Sequence, residues 1–173
     1  MRRKLTSTAL LLLLIAIGGE HAVAAPIIYP TSLSISSVGI KTSLIPLGID
    51  KKGLLEVPMT GAVAGWFTGG PKPGEVGPAV IVAHVDWKGK KGVFFDLRKV
   101  RVGQAIVVTN SNSKITKFQV TRVFSVKKKA FPTDSVYGNL NYPGLRLVTC
   151  GTFDFKTKRY VDNLIVYAKA IRA

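Results

Sequence analysis

The chain has 173 residues, 25 of them Lys or Arg against 9 Asp or Glu, for a formal net charge of +16. That length fits one hydrophobic core and hardly two. A single cysteine excludes an intrachain disulfide framework, and so basic a surface is drawn to polyanions or anionic membranes.

Met1 to Ala25 has the pattern of an export leader. Arg2, Arg3 and Lys4 precede the unbroken apolar run Leu10 to Ile17, and Ala22-Val23-Ala24 offers a small-x-small cleavage site. The run is shorter than the about 20 residues of a spanning helix, so a signal peptide is expected, with an uncleaved membrane anchor as the alternative. Either places residues 26–173 outside the cytoplasm. Wall polymers and lipid head groups are then favoured over nucleic acid as anionic partners.

From Pro26 to Asp50 the chain is expected to be extended. Leu33 and Ile35 alternate with serines, and Gly39, Pro46 and Gly48 break any helix. Leu54 to Val57 is expected as a short strand stopped by Pro58, and Ala64 to Phe67 as another. The apolar run Ala79 to Val85 predicts a buried strand and holds His84. Phe94 to Val100 has the spacing of one helical turn. Ala105 to Thr109 and Lys117 to Val126 predict a hairpin closed by Asn110-Ser111-Asn112-Ser113. A short helix or loop follows at Phe131 to Tyr137. Leu145, Leu147 and Thr149 alternate with Arg146, Val148 and Cys150, predicting a strand. A polar loop, Gly151 to Arg159, leads to a returning strand through Leu164 to Ile171. Regular short strands between turns indicate an all-β barrel or sandwich.

Outside the leader there is one histidine, His84, and it shares with Cys150 a place at the end of an apolar strand. A cysteine needs its thiolate to attack a carbonyl, and an adjacent imidazole assists that ionisation and passes a proton to a leaving amine. The bland alternatives are a buried thiol and a satisfied core histidine. Arg159, nine residues after Cys150, offers a fork of donors for a developing oxyanion; its alternative is a solvated loop arginine. Asp86 and Trp87 follow His84, suited either to orient the ring and line a cleft or to serve as turn and core. No zinc-like ligand cluster and no phosphate-cradling glycine loop is present in the sequence.

These pieces, taken in order, resemble class F sortases. Leu147-Val148-Thr149-Cys150 resembles the nucleophile strand of that family, and Ala83-His84-Val85-Asp86 its histidine segment. Gly92-Val93-Phe94-Phe95-Asp96-Leu97, Phe131-Pro132-Thr133, Val136-Tyr137-Gly138, Phe153-Asp154 and the run from Asp162 to Ala168 extend the likeness over most of residues 33–170. The resemblance implies a closed eight-stranded β-barrel with short helices, spanning 26–173 as one catalytic domain. It implies a cysteine transpeptidase that cleaves a Leu-Pro-x-Thr-Gly-type sorting signal and passes the thioacyl group to an amine of a cell-wall precursor. Cys150 would be the nucleophile and His84 the acid and base. Arg159 would hold the substrate carbonyl, with Thr149 adding a hydrogen bond at the oxyanion; beside the resemblance, Asp86 and Asn163 are the further candidates for substrate contact, Asn163 as the neutral donor in place of Arg159. No metal or organic cofactor is implied. One departure stands out: Val161 and Asn163 occupy the places where the family pattern puts an arginine. The competing readings are a non-catalytic basic barrel that binds anionic wall polymers, and a wall peptidase that hydrolyses without transfer.

Overall fold

The computed structural model describes residues 27–171; the leader lies outside them. Strands β1 (Pro30–Ile35), β2 (Ile40–Leu47), β3 (Ala64–Phe67) and β4 (Gly77–Val82) come first. A two-stranded ribbon, β5 (Asp86–Trp87) with β6 (Lys90–Lys91), and a 3-10 turn over Phe95–Lys99 lead to β7 (Ala105–Asn110) and β8 (Ile115–Lys127). The helix α1 (Thr133–Tyr137) precedes β9 (Pro143–Cys150). A second ribbon, β10 (Phe153–Asp154) with β11 (Arg159–Tyr160), then precedes β12 (Asp162–Ala170). Eight strands close into a barrel in the order β1-β2-β3-β4-β9-β12-β8-β7. Closure removes the unpaired strand edges that an open sheet would expose.

Two expectations need correction. Leu54 to Val57 is not a strand; only Leu55 bridges to Ile49, because the stretch is largely exposed and has no apolar face to bury. The polar loop after Cys150 is not unstructured, since β10 and β11 fold it into a ribbon of its own.

Strand alternation divides the side chains into two apolar layers. Leu33, Ile35, Ile81, Leu145, Leu147 and Val166 fill the interior with Phe94 and Phe118, all nearly inaccessible. Complete burial of each such side chain stabilises by about 1.5–3 kcal/mol. A second layer forms on the outer face, where Val80, Val82, Ile165 and Tyr167 pack under Val136 of α1. Buried Arg146 tethers this short helix: its Nε donates to the Ser135 carbonyl at 3.2 Å and its guanidinium lies 4.4 Å over the Tyr167 ring. The outer face of β4, β9 and β12 is therefore covered at the α1 end and opens toward Cys150.

Candidate active site

The pairing of β4 with β9 is parallel, and its last rung joins Val82 to Val148. The Ala83 N–H then donates to the Val148 carbonyl at 3.3 Å. The Thr149 hydroxyl donates to the Ala83 carbonyl at 2.7 Å. β4 ends at that rung, and His84 follows two residues after Val82 as Cys150 follows two residues after Val148. On the other side of β9, Cys150 stands directly opposite Asn163 of β12. Val82, Val148 and Ile165 belong to the outer layer, and strand alternation assigns Cys150 and Asn163 to that same face.

Each residue is held by local contacts. The His84 Nε2 lies 2.7 Å from the Pro58 carbonyl. A carbonyl only accepts, so Nε2 carries a hydrogen and Nδ1 of the neutral ring keeps its lone pair. The ring packs on Trp87 at a centroid separation of 4.6 Å. Behind it, the Phe94 N–H donates to the His84 carbonyl at 3.1 Å. Gly92 passes so close that an added Cβ would collide with the His84 carbonyl oxygen.

Cys150 is half-buried, and burial pushes its thiol above the ordinary range. Lys128 pulls the other way, while the carboxylates of Asp86 and Asp162 add to the rise. The resting sulfur is a thiol, so attack on a carbonyl requires removal of its proton. The loop beyond it is fixed by Asp162, which is 7 % exposed. The Asp162 carboxylate accepts from the Thr152 N–H, and its carbonyl accepts from the Gly151 N–H at 3.0 Å. A side chain at Gly151 would strike that carboxylate.

Past Cys150 lies a cleft of about 640 Å³. Val85 and Asp86, following His84, form one wall. Gly151 and Tyr160, from the segment after Cys150, form the other, and Phe95 and Arg98 also line it. The Tyr160 hydroxyl donates to the Asp86 carboxylate and ties the two walls together. Burial, then the Asp86 contact, hold the Tyr160 phenol well above its usual range.

The residues expected from sequence thus divide. Cys150 stands opposite Asn163 of β12, His84 follows two residues after the end of β4 on the other side of β9, and Asp86 lines the cleft beside Cys150, whereas His84 and Asn163 are not among its lining residues. Thr149 is buried and its hydroxyl proton is committed to Ala83, so it joins strand ends and has no hydrogen to offer an oxyanion. Arg159 is exposed, paired with Asp154 across the β10–β11 ribbon, and is not among the residues lining the cleft. In a continuous strand Arg159, Val161 and Asn163 would share one side. The chain breaks at Val161: β11 pairs only with β10, while β12 pairs with β8 and β9. Tyr160, Asp162, Arg98 and Pro58 were not anticipated. An acid at the head of an apolar strand was the available signal for Asp162; nothing local marks Pro58. Among the described residues, no group of three or more His, Cys, Asp or Glu is placed to hold a metal ion.

A closed barrel that sets a thiol and an imidazole at adjacent strand ends, beside an open cleft, has the parts for thiol-based acyl transfer. A family model, the sortase domain, matches residues 33–171. Among solved structures, sortase A from Corynebacterium diphtheriae, a lid mutant, superposes with a TM-score of 0.66 at 20% identity, covering 83% of this chain and 70% of that one. Sortase C1 from Streptococcus agalactiae gives 0.65 at 22% identity, covering 83% and 67%. A sortase D5 transpeptidase from Clostridium perfringens gives 0.62 at 25% identity, covering 83% and 79%. A comparison with curated proteins gives no match. This chain belongs to the sortase family, whose members are cysteine transpeptidases.

Proposed function

We propose that the chain is a class F-like sortase that cleaves a Leu-Pro-x-Thr-Gly-type signal between Thr and Gly and transfers the acyl group to an amine of a cell-wall precursor. The observation that supports this reading is the parallel β4–β9 pairing, whose last rung, Val82 to Val148, lies two residues before His84 and Cys150. The ordered motifs from Leu33 to Ala168 support the class assignment.

In this mechanism His84 Nδ1 takes the Cys150 proton as sulfur attacks the Thr carbonyl carbon. The C–N bond breaks, and the imidazolium protonates the departing glycine amine. The acceptor amine then attacks the thioester, and the C–S bond breaks. Directly opposed residues on neighbouring antiparallel strands hold their Cβ atoms about 4.5–5.5 Å apart. In this reading the Asn163 amide, opposite Cys150 on β12, serves as the side-chain donor to the oxyanion. Arg159, exposed on its ribbon, has no comparable geometric support.

The signal peptide has a place along the outer face. An apolar cleft of about 800 Å³, lined in part by Leu55, Phe67, Pro78, Phe131 and Tyr137, flanks the outer face of β4. Phe67 stands one step past the Trp66–Ile81 pair, beside Val80, four residues before His84. Those four residues span about 13 Å of strand. From the Thr carbonyl back to the leucine, an extended signal covers about 10 Å, which brings its Leu-Pro head to the near edge of this cleft.

The leader supports export and action at the outer face of the cytoplasmic membrane, and the +16 charge supports association with anionic membrane or wall. The charge alone favours the competing polymer-binding module. The full chain, incubated with Leu-Pro-x-Thr-Gly peptides and analysed by mass spectrometry, is expected to give Thr–Gly cleavage and an acyl adduct on Cys150. Absence of both, with polymer affinity intact after Cys150 is capped by iodoacetamide, refutes the enzyme reading.

A further inference from the structure

The cleft beyond Cys150 carries two charged side chains among its lining, the carboxylate of Asp86 and the guanidinium of Arg98. Among the described residues neither has an opposite charge within ion-pair distance; the ion pair found there joins Lys99 to Asp96. The partner of Asp86 is the neutral Tyr160 hydroxyl. Arg98 lies over the face of Phe95 at 4.5 Å, which steadies the guanidinium and leaves its N–H edge free to donate. The rest of the lining is apolar, main-chain or hydroxyl-bearing, apart from the thiol itself. An unpaired acid and an unpaired base in one cleft are complementary to a ligand bearing both charges.

Resting on the transpeptidase reading, we infer that this cleft is the acceptor site and that it selects an amino-acid-type zwitterion, an amine with a carboxylate on the same or a neighbouring carbon. The peptide lies along the outer face of β4, leaving the cleft for the incoming nucleophile. The acceptor ammonium is met by Asp86, which the Tyr160 hydroxyl anchors in the cleft lining together with Cys150, and the carboxylate by Arg98. Asp86 thus places the nitrogen at the reacting carbon, and Tyr160 fixes Asp86. The ammonium passes one proton to His84 Nδ1. Its nitrogen bonds to the thioester carbon and the C–S bond breaks. The second N–H proton, lost as the amide forms, returns to sulfur, and His84 releases its own to water.

The test uses the full chain, a sorting-signal peptide, and glycine or glycinamide as acceptor. A charge-assisted pair in a partly dry cleft predicts an acceptor KM for glycine about tenfold below that for glycinamide. Arg98→Gln is expected to bring the ratio of the two toward one whatever its absolute rate, and Arg98→Lys to restore part of it. Asp86→Asn is expected to raise both KM values. Equal KM values in the native chain, or a preference that survives Arg98→Gln, overturn the inference. If no sorting peptide acylates Cys150, the transpeptidase reading itself fails, and NMR titration of the Cys150→Ala chain decides the site. Saturable shifts at Arg98 and Tyr160 with glycine but not glycinamide uphold it, and their absence sinks it.

Discussion

Thr149→Val isolates the contact that sets the spacing of the two reactive groups. Thr149 is 4 % exposed, and its hydroxyl makes the 2.7 Å bond to Ala83 that continues the β4–β9 pairing past its last rung. Among the described residues no main-chain N–H donates to that carbonyl. Valine keeps the shape and removes the donor, leaving a buried acceptor unsatisfied at a cost of about 1–3 kcal/mol. The added methyl offsets about 0.8 kcal/mol of this, so from the middle of that range the net loss is about 1 kcal/mol. For a domain of this size each kcal/mol lowers Tm by about 2–4 °C, which predicts a fall of about 2–4 °C by calorimetry. Turnover should suffer more. Without the tie, the His84 and Cys150 ends are free to separate, and a displacement near 1 Å costs about 100-fold in rate. Thr149→Ser keeps the donor and should retain most of both quantities. A valine variant that loses turnover with no change in Tm would refute the account, because it would put the hydroxyl on the reacting carbonyl. A serine variant as impaired as valine would refute it differently, by making the methyl the important group.

The pH dependence of Cys150 alkylation should move in opposite directions in two variants. Lys128→Gln removes an influence that lowers the thiol pKa and should shift the iodoacetamide rate profile to higher pH; Asp86→Asn removes one that raises it and should shift the profile lower. Because burial favours the neutral thiol in the folded chain, this group's contribution to stability is complete below the pKa of an unfolded cysteine and fades as pH rises through the higher folded value. Gly92→Ala forces a methyl against the His84 carbonyl and should cost about 1–3 kcal/mol by overpacking, with peptide cleavage lost while Cys150 still alkylates. Asn163→Asp replaces a donor by an acceptor opposite Cys150 and should lower kcat by about 100- to 1000-fold, with little change in Tm.

Much of the barrel was readable because burial imposes a period of two. The alternation from Leu145 to Cys150 announced both β9 and the inward side of Thr149. Uniqueness made Cys150 and His84 conspicuous, and local pattern placed each at a strand end. What sequence could not show was the parallel pairing of β4 with β9, whose last rung joins Val82 to Val148, because that depends on which strands become neighbours. The same limit misplaced Arg159. Its number suggested a continuous strand with Asn163, but the break at Val161 turns the preceding ribbon onto different partners. Pro58 escaped for a related reason: its carbonyl becomes a partner for His84 only after the segment between β2 and β3 has been laid across the end of β4.

The net charge and the reactive centre are physically separate properties. Among the basic residues described, Lys128 is the cation that lowers the Cys150 thiol pKa, and Arg98 is the one that lines the adjoining cleft. At physiological ionic strength, exposed charges separated by more than about 8 Å are largely screened from one another. The remaining cations therefore act on extended anionic surfaces and leave the bond being broken largely unaffected. Raising salt from about 0.05 to 0.5 M shortens the screening length roughly threefold. Retention on anionic vesicles or wall polymer should then fall steeply, while kcat for a short uncharged sorting peptide changes less than about twofold. A parallel loss of the two would mean that distant surface charge reaches the active site, and would overturn the separation of anchoring from chemistry.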